Sequence, residues 1–223
     1  MIMKHIIKSF SFAFLCMAGL TSCHCDHFDE PAEPFKVGWV VCTDGEILPF
    51  CEYVRSGKDA VAIVYNVNHD FESPISGYAV YLNDLPAAEF ADTEMTNQGT
   101  STDLLLLDGN ENTWALYSTR EEVNSPMANQ VFDLWTYGQS AYVPSIAQLK
   151  QIREVKDFIN PRIEAIGGDI LPDVPNETWY WSSTEVSGQS EAKAWLYSFQ
   201  SGAIQETPKI QAHKARPVIT LYR

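Results

Sequence analysis

Apolar positions in this chain follow two rhythms, one unbroken or of period two and one close to helical. Residues 60–65, Ala-Val-Ala-Ile-Val-Tyr, are almost continuously apolar, the pattern of a central strand covered on both faces. A polar loop over 66–76 leads to residues 77–82, Gly-Tyr-Ala-Val-Tyr-Leu, which predict a second strand. Ahead of these, residues 37–41 and 47–50 flank Asp44-Gly45, a strong turn signal, and predict a hairpin with Cys42 opposite Ile47. Pro49 places the second arm at a sheet edge or bulge. The densest aromatic stretch, residues 179–184 (Trp-Tyr-Trp-Ser-Ser-Thr), predicts a strand with Trp181 in the core. A polar loop follows, and residues 194–199 then set Trp195, Tyr197 and Phe199 on one face by alternation. Gly202 turns the chain, and residues 215–219 predict a closing strand with Pro217 near its start.

The helical rhythm begins at Ser125-Pro126, an N-cap followed by an N1 proline, with Met127, Val131, Leu134 and Trp135 on one face. Ser145 and Gln148 form a capping box, and Ile146, Leu149, Ile152 and Ile159 continue the stripe. Asn160-Pro161 predicts the cap of a third, short helix carrying Ile163 and Ile166 and closed by Gly167-Gly168. These helices are expected to pack on one side of the sheet. Residues 83–122 are irregular, with a short helical turn over 103–107. Residues 108–113 begin like a calcium loop, but Thr113 stands where that loop needs Gly and Thr119 where it needs a bidentate Glu, so an Asx-rich turn is expected. The pattern predicts an α+β chain: a small β-rich subdomain over 37–84, then a domain over 85–222 with a twisted antiparallel sheet and two to three helices.

The N-terminus carries an address. Lys4, His5 and Lys8 precede an apolar stretch over 10–20 that is too short to span a bilayer, the layout of a signal peptide over 1–22. It ends in Leu20-Thr21-Ser22-Cys23, which resembles the bacterial lipobox, in which the Cys thiol, here Cys23, receives diacylglycerol. Residues 23–36 read as a lipid-anchored tether, polar and broken by Pro31 and Pro34. The expected location is the bacterial outer membrane or cell surface, with the lipid as the only contact to the membrane. His24-Cys25-Asp26-His27 lies on this tether without fixed geometry, and no metal is assigned to it.

Composition narrows the chemistry. The 223 residues are 45% apolar and 20% charged, enough for a sizeable core. A net charge of -14 without clustered Lys or Arg argues against a nucleic-acid partner. With Cys16 removed in the signal peptide and Cys23 lipidated, Cys25, Cys42 and Cys51 remain, and a regular hairpin would hold Cys42 and Cys51 roughly 13 Å apart, too far for a bridge. Ser182 and Ser183 lack a nucleophile-elbow context, and beyond the tether only His69 and His213 are available to serve a triad. No catalytic residue and no cofactor are assigned.

Residues 142–145 (Tyr-Val-Pro-Ser), Leu149, Ile159-Asn160, Gly167-Gly168, residues 180–184 (Tyr-Trp-Ser-Ser-Thr), Ala194-Trp195, Phe199 with Gly202, Lys209, and Arg216-Pro217-Val218 come in an order and spacing that resemble the Fibrobacter succinogenes major paralogous domain. That family is similar to the C-type-lectin-like superfamily, which includes formylglycine-generating enzymes. Tyr142-Val143 departs from the family, which more often has a Trp or Tyr followed by Leu. The resemblance covers residues 125–222 and implies a C-type-lectin-like fold over 85–222, used for display or for binding a glycan or a protein. It implies a recognition surface in the loops around the last strands, where Glu185, Gln189, Gln200, Gln205 and Lys214 are the candidate ligand contacts. Two alternatives stand beside it. One is a structural component of a surface complex. The other is a formylglycine-generating type of enzyme, which needs a C-terminal cysteine pair, and no Cys follows Cys51. Calcium-dependent lectin sites of the superfamily use a Pro flanked by Glu or Asn; residues 206–209 and 174–177 each lack one flank, so metal-independent binding is expected.

Overall fold

The computed structural model of the protein describes residues 34–132, 134–136, 139–173 and 178–223. Cys23, the signal peptide, most of the tether and the half-pattern at 174–177 lie outside the described residues. In chain order the first elements are β1 (Val40–Cys42), β2 (Ile47–Leu48), α1 (Phe50–Ser56), β3 (Ala60–Val67), β4 (Ile75–Tyr81), β5 (Leu85–Glu89), α2 (Gly109–Ser118) and α3 (Pro126–Phe132). They are followed by β6 (Trp135–Thr136), β7 (Gln139–Ser140), α4 (Ile146–Ile166), β8 (Trp179–Glu185), β9 (Lys193–Ser198), β10 (Ile204–Pro208), β11 (Ala212–Ala215) and β12 (Val218–Tyr222). The fold is α+β.

The unbroken apolar run forms β3, the middle strand of a sheet ordered β12-β4-β3-β1-β2. Its faces serve two cores: Ala62 and Val64 join one, Ile63 and Tyr65 the other. The hairpin before it differs from expectation by one residue. Val41, not Cys42, pairs with Ile47. Cys42 donates its N–H to the Glu46 carbonyl at 2.8 Å, and Asp44 accepts from the Glu46 N–H at 3.2 Å, which widens the turn. The second arm stops at Pro49, because the Pro49 carbonyl takes the Glu52 and Tyr53 N–H groups and starts α1. Cys42 is free and buried, and Cys51 is disulfide-bonded.

The second sheet is ordered β10-β9-β8-β11-β5, with β11 parallel to β8 and its other pairs antiparallel. Trp181 is 0% exposed in β8; its indole N–H donates to the Ala88 carbonyl at 3.0 Å, and Phe90 and His213 meet it edge-on. Trp195, Tyr197 and Phe199 join the second core together, as their alternation predicts. The expected closing strand over 215–219 is two strands. β11 ends at Ala215 in the second sheet, the chain crosses at Arg216-Pro217, and β12 pairs with β4 in the first. Pro217 has no N–H for a ladder, and its carbonyl accepts from Tyr81 at 2.9 Å. Residues 218–222 thus complete a sheet that residues 40–81 begin.

The helices do not share one side. Leu116 of α2 and Met127 and Val131 of α3 fill the first core, while Ile146, Leu149, Ile152, Ile159 and Ile163 of α4 fill the second. Helix α3 starts at the predicted cap, with Ser125 Oγ accepting from the Ala128 N–H, but ends at Phe132. Helix α4 has the predicted capping box and a left-handed Gly167 at its C-cap, yet Asn160-Pro161 does not divide it. The Asn160 side chain faces away from its own helix start and grips Leu171 through both its amide groups, at 2.8 and 2.9 Å. A single helix therefore runs through Pro161. Helix α2 replaces the expected Asx-rich turn. Its inward face is polar: Asn112 accepts the Ser101 N–H at 2.8 Å and Thr113 accepts the Val143 N–H at 2.9 Å, which leaves no apolar stripe to read. No described helix is long and apolar enough to cross a membrane.

Candidate functional site

Where β3 leaves the sheet beside α4, a cleft of about 450 Å³ opens, lined by Tyr65, Gln151, Val37, Asn66, Val67 and Val155, with Lys36, His69 and Glu154 also on its walls. The backbone prepares it. The register of β3 against β4 slips between Val64 and Asn66, so Tyr65 sits at a β-bulge, the irregularity that re-aims a side chain within a paired strand. Gly77 pairs with Val67 just past the bulge, and a Cβ there would come within 2.3 Å of the Asn66 carbonyl, so the close approach of the two backbones requires glycine at that position. Val67, beyond the bulge, packs against the first core although Tyr65 packs in the second.

Tyr65 is 1% exposed, stacked on Tyr78 with ring centroids 6.1 Å apart, and its hydroxyl has no hydrogen-bond partner among the described residues. Burial pushes its phenol well above the ordinary tyrosine range, so it stays a neutral donor and acceptor. From α4, the Gln151 side-chain carbonyl oxygen is likewise buried and unmatched. Neighbouring groups of the same kind are matched. Tyr142 shares a hydrogen bond with Thr220 Oγ1 at 3.0 Å and accepts one from Gln148 Nε2 at 3.0 Å, and Gln148 Oε1 accepts the Ser145 N–H at 3.0 Å.

The five residues expected at the ligand surface are not gathered into one patch. Glu185 is 0% exposed, paired with an equally buried Lys209, and accepts the Gln98 N–H at 3.2 Å. Burial lowers the Lys209 ammonium below its ordinary range, opposed by Glu185. Glu185 therefore faces the interior. Gln189 is exposed and donates to Glu206 at 3.3 Å, beside the Lys193–Glu206 ion pair. Gln205 is exposed on the edge strand β10, and Gln200 lies at the far end of the β9–β10 hairpin, where its carbonyl accepts from Arg153. Lys214 is on β11, separated from β10 by two strands, and pairs with Asp84 at 3.1 Å. Asp84 also receives buried Arg216 at 2.7 Å and the Tyr180 hydroxyl at 2.9 Å, so this charged group ties the sheets together.

Ser182 donates to the Trp195 carbonyl at 2.8 Å, a backbone tie consistent with a structural hydroxyl. Among the described residues no group of three or more His, Cys, Asp or Glu is placed to hold a metal. Sequence reasoning missed Tyr65 and Gln151. The signals available were a single hydroxyl ending the run 60–65 and a glutamine set between Leu149 and Ile152 of the α4 stripe.

No family model and no curated protein sequence matches this chain. Its fold is similar to that of a solved fimbrial protein from Bacteroides ovatus, with a TM-score of 0.68 and 13% identity over 84% of this chain and 49% of that one. The chain spans about half the length of that protein, and at this identity the likeness is one of fold.

Proposed function

We propose that this protein is a noncatalytic, lipid-anchored bacterial surface protein whose domain serves as a binding or display module for a glycan or a protein. The observation that carries the binding role is the cleft of about 450 Å³ between β3 and α4, a size usual for small-molecule sites, walled by Val37, Val67 and Val155 with Lys36, His69 and Glu154. The lipobox ending at Cys23 supports the anchor, and the resemblance of residues 125–222 to the Fibrobacter succinogenes major paralogous domain supports a C-type-lectin-like display scaffold. Cys23→Ala is expected to abolish incorporation of labelled palmitate and to leave an unprocessed precursor. Normal labelling and processing of that variant would remove the anchor from the account.

A second reading, a structural component of a fimbria-like surface assembly, is favoured by the fold shared with the fimbrial protein. Chemical crosslinking on intact cells separates the two. Capture of this chain in a regular ladder with protein subunits supports assembly, whereas recovery as single copies supports a binding module. A formylglycine-generating activity has no support, because that chemistry needs a C-terminal cysteine pair and no Cys follows Cys51.

A further inference from the structure

We propose that the side chains of Lys209 and Gln98 join in an amide bond, with Glu185 as the proton carrier and ammonia as the leaving group. This self-modification is independent of what the cleft beside β3 binds. Gln98 lies between β5 and α2, Glu185 ends β8, and Lys209 follows β10. Each of the three is 0% exposed. Lys209 Nζ pairs with Glu185 Oε1 and donates to the Thr96 carbonyl at 3.2 Å and to Gln98 Oε1 at 3.4 Å. The last contact is long for a hydrogen bond, and the Gln98 carbonyl carbon is one bond beyond the oxygen that Nζ meets. The Gln98 backbone N–H donates to Glu185 Oε1 at 3.2 Å, which holds the carboxylate against the residue that carries the amide. Gln98 Nε2 and Glu185 Oε2 are unmatched among the described residues, and these are the leaving nitrogen and the second oxygen of the proton carrier.

The surroundings favour a neutral amine. The Phe90 ring lies 5.2 Å from Nζ, and Trp181 packs edge-on against Phe90. A charged pair is costly in such a place, and transfer of one proton from Nζ to Glu185 leaves both groups neutral. Burial also lowers the Lys209 ammonium below its ordinary range. The free amine is a nucleophile, whereas the ammonium is not.

The step balances without any further reactant. Nζ adds to Gln98 Cδ, a C–N bond forms, and the bond from Cδ to Nε2 breaks. Lys209 passes two of its Nζ protons to Glu185 in turn; one goes on to Nε2, which leaves as ammonia, and the other stays on the carboxylate. Direct joining of Lys209 to Glu185 would consume the proton carrier itself, and an anionic carboxylate resists addition of an amine. The Gln98 amide is neutral and has its own leaving nitrogen. Exclusion of water from the site keeps hydrolysis from competing.

The test is a peptide map by mass spectrometry of the full-length lipidated protein, purified in detergent, reduced and digested with trypsin. The bond is expected as a branched peptide that joins residues 59–120 to residues 194–214, uncut at Lys209 and lighter than the sum of the two by one ammonia. On a reducing, denaturing gel the wild-type chain, closed between Gln98 and Lys209, is expected to run ahead of Glu185→Gln and Lys209→Arg, and both variants are expected to lack the branch. Recovery of the unjoined peptide 194–209 from the wild-type protein in place of the branch would overturn the proposal. A branch between residues 163–193 and 194–214, lighter by one water, would also overturn it, because Lys209 would then be joined to Glu185. Persistence of the ammonia-loss branch in Glu185→Gln would overturn the role given to the carboxylate. The wild-type map decides the matter even where a variant fails to fold.

Discussion

Two buried tyrosines of the second core, Tyr142 and Tyr65, have opposite fates. The Tyr142 hydroxyl bonds to Thr220 of β12 and accepts from Gln148 Nε2 of α4, which links the helix to the first sheet, while Gln148 Oε1 closes the helix cap on the Ser145 N–H. Tyr65 of β3 is buried too, yet its hydroxyl stays unmatched among the described residues, as does the buried side-chain carbonyl oxygen of Gln151, three residues beyond Gln148 on α4. The Tyr142 arrangement is what a core demands of its polar groups. The Tyr65 hydroxyl departs from that rule. The backbones differ as well: Tyr142 is fixed by reciprocal hydrogen bonds to Val218, whereas Tyr65 sits at the bulge in β3.

The largest effect is expected at Trp181, a matched polar group in the other core, whose N–H reaches Ala88. Trp181→Ala should cost about 3–5 kcal/mol, as large aromatic truncations in packed cores do, and chemical denaturation measures it. A wild-type midpoint would mean that the second sheet is not packed around this residue. Tyr142→Phe is expected to cost about 1–3 kcal/mol, because it removes the hydroxyl while leaving Gln148 Nε2 and Thr220 buried without their partner. A loss well under this range would show that the matched pair is not a stabilising one.

A smaller effect lies in pH. Burial holds the His213 imidazole below its ordinary value of about 6.5. Between that folded value and about 6.5 the unfolded chain binds more protons, so stability is fully present above this window and falls as pH drops through it. Melting temperatures measured at steps from pH 7.5 to 5.5 should decline more steeply for wild type than for His213→Phe, which removes the titrating group. Equal slopes would show that His213 does not contribute.

The strands were legible where side chains declared their burial. The run 60–65 read as a central strand because both of its faces are covered, and Trp195, Tyr197 and Phe199 kept their alternation. The Ser145–Gln148 box is equally local and appeared as written. Helix α2 was hidden because Asn112 and Thr113 turn polar groups inward to serve Ser101 and Val143, contacts with no periodic trace. Pro161 suggested a break that the Asn160–Leu171 clasp made unnecessary, since Asn160 was engaged far along the chain rather than at a cap. Glu185 has the sequence context of a surface residue at the start of a polar loop, but Lys209, just past β10, and the Gln98 backbone return to enclose it. The cleft was illegible for a related reason: its defining property is a missing partner, and no residue type announces one.

The most direct measurement sets Tyr65→Phe beside Tyr142→Phe in thermal melts of the unliganded protein. Both remove one buried hydroxyl and keep the ring. For a chain of this size about 1 kcal/mol moves the midpoint roughly 2–4 °C. Tyr142→Phe should therefore melt several degrees below wild type, while Tyr65→Phe should match wild type or exceed it, having shed an unmatched group. An equal fall in both variants would mean that the Tyr65 hydroxyl is already satisfied within the fold, which contradicts this reading.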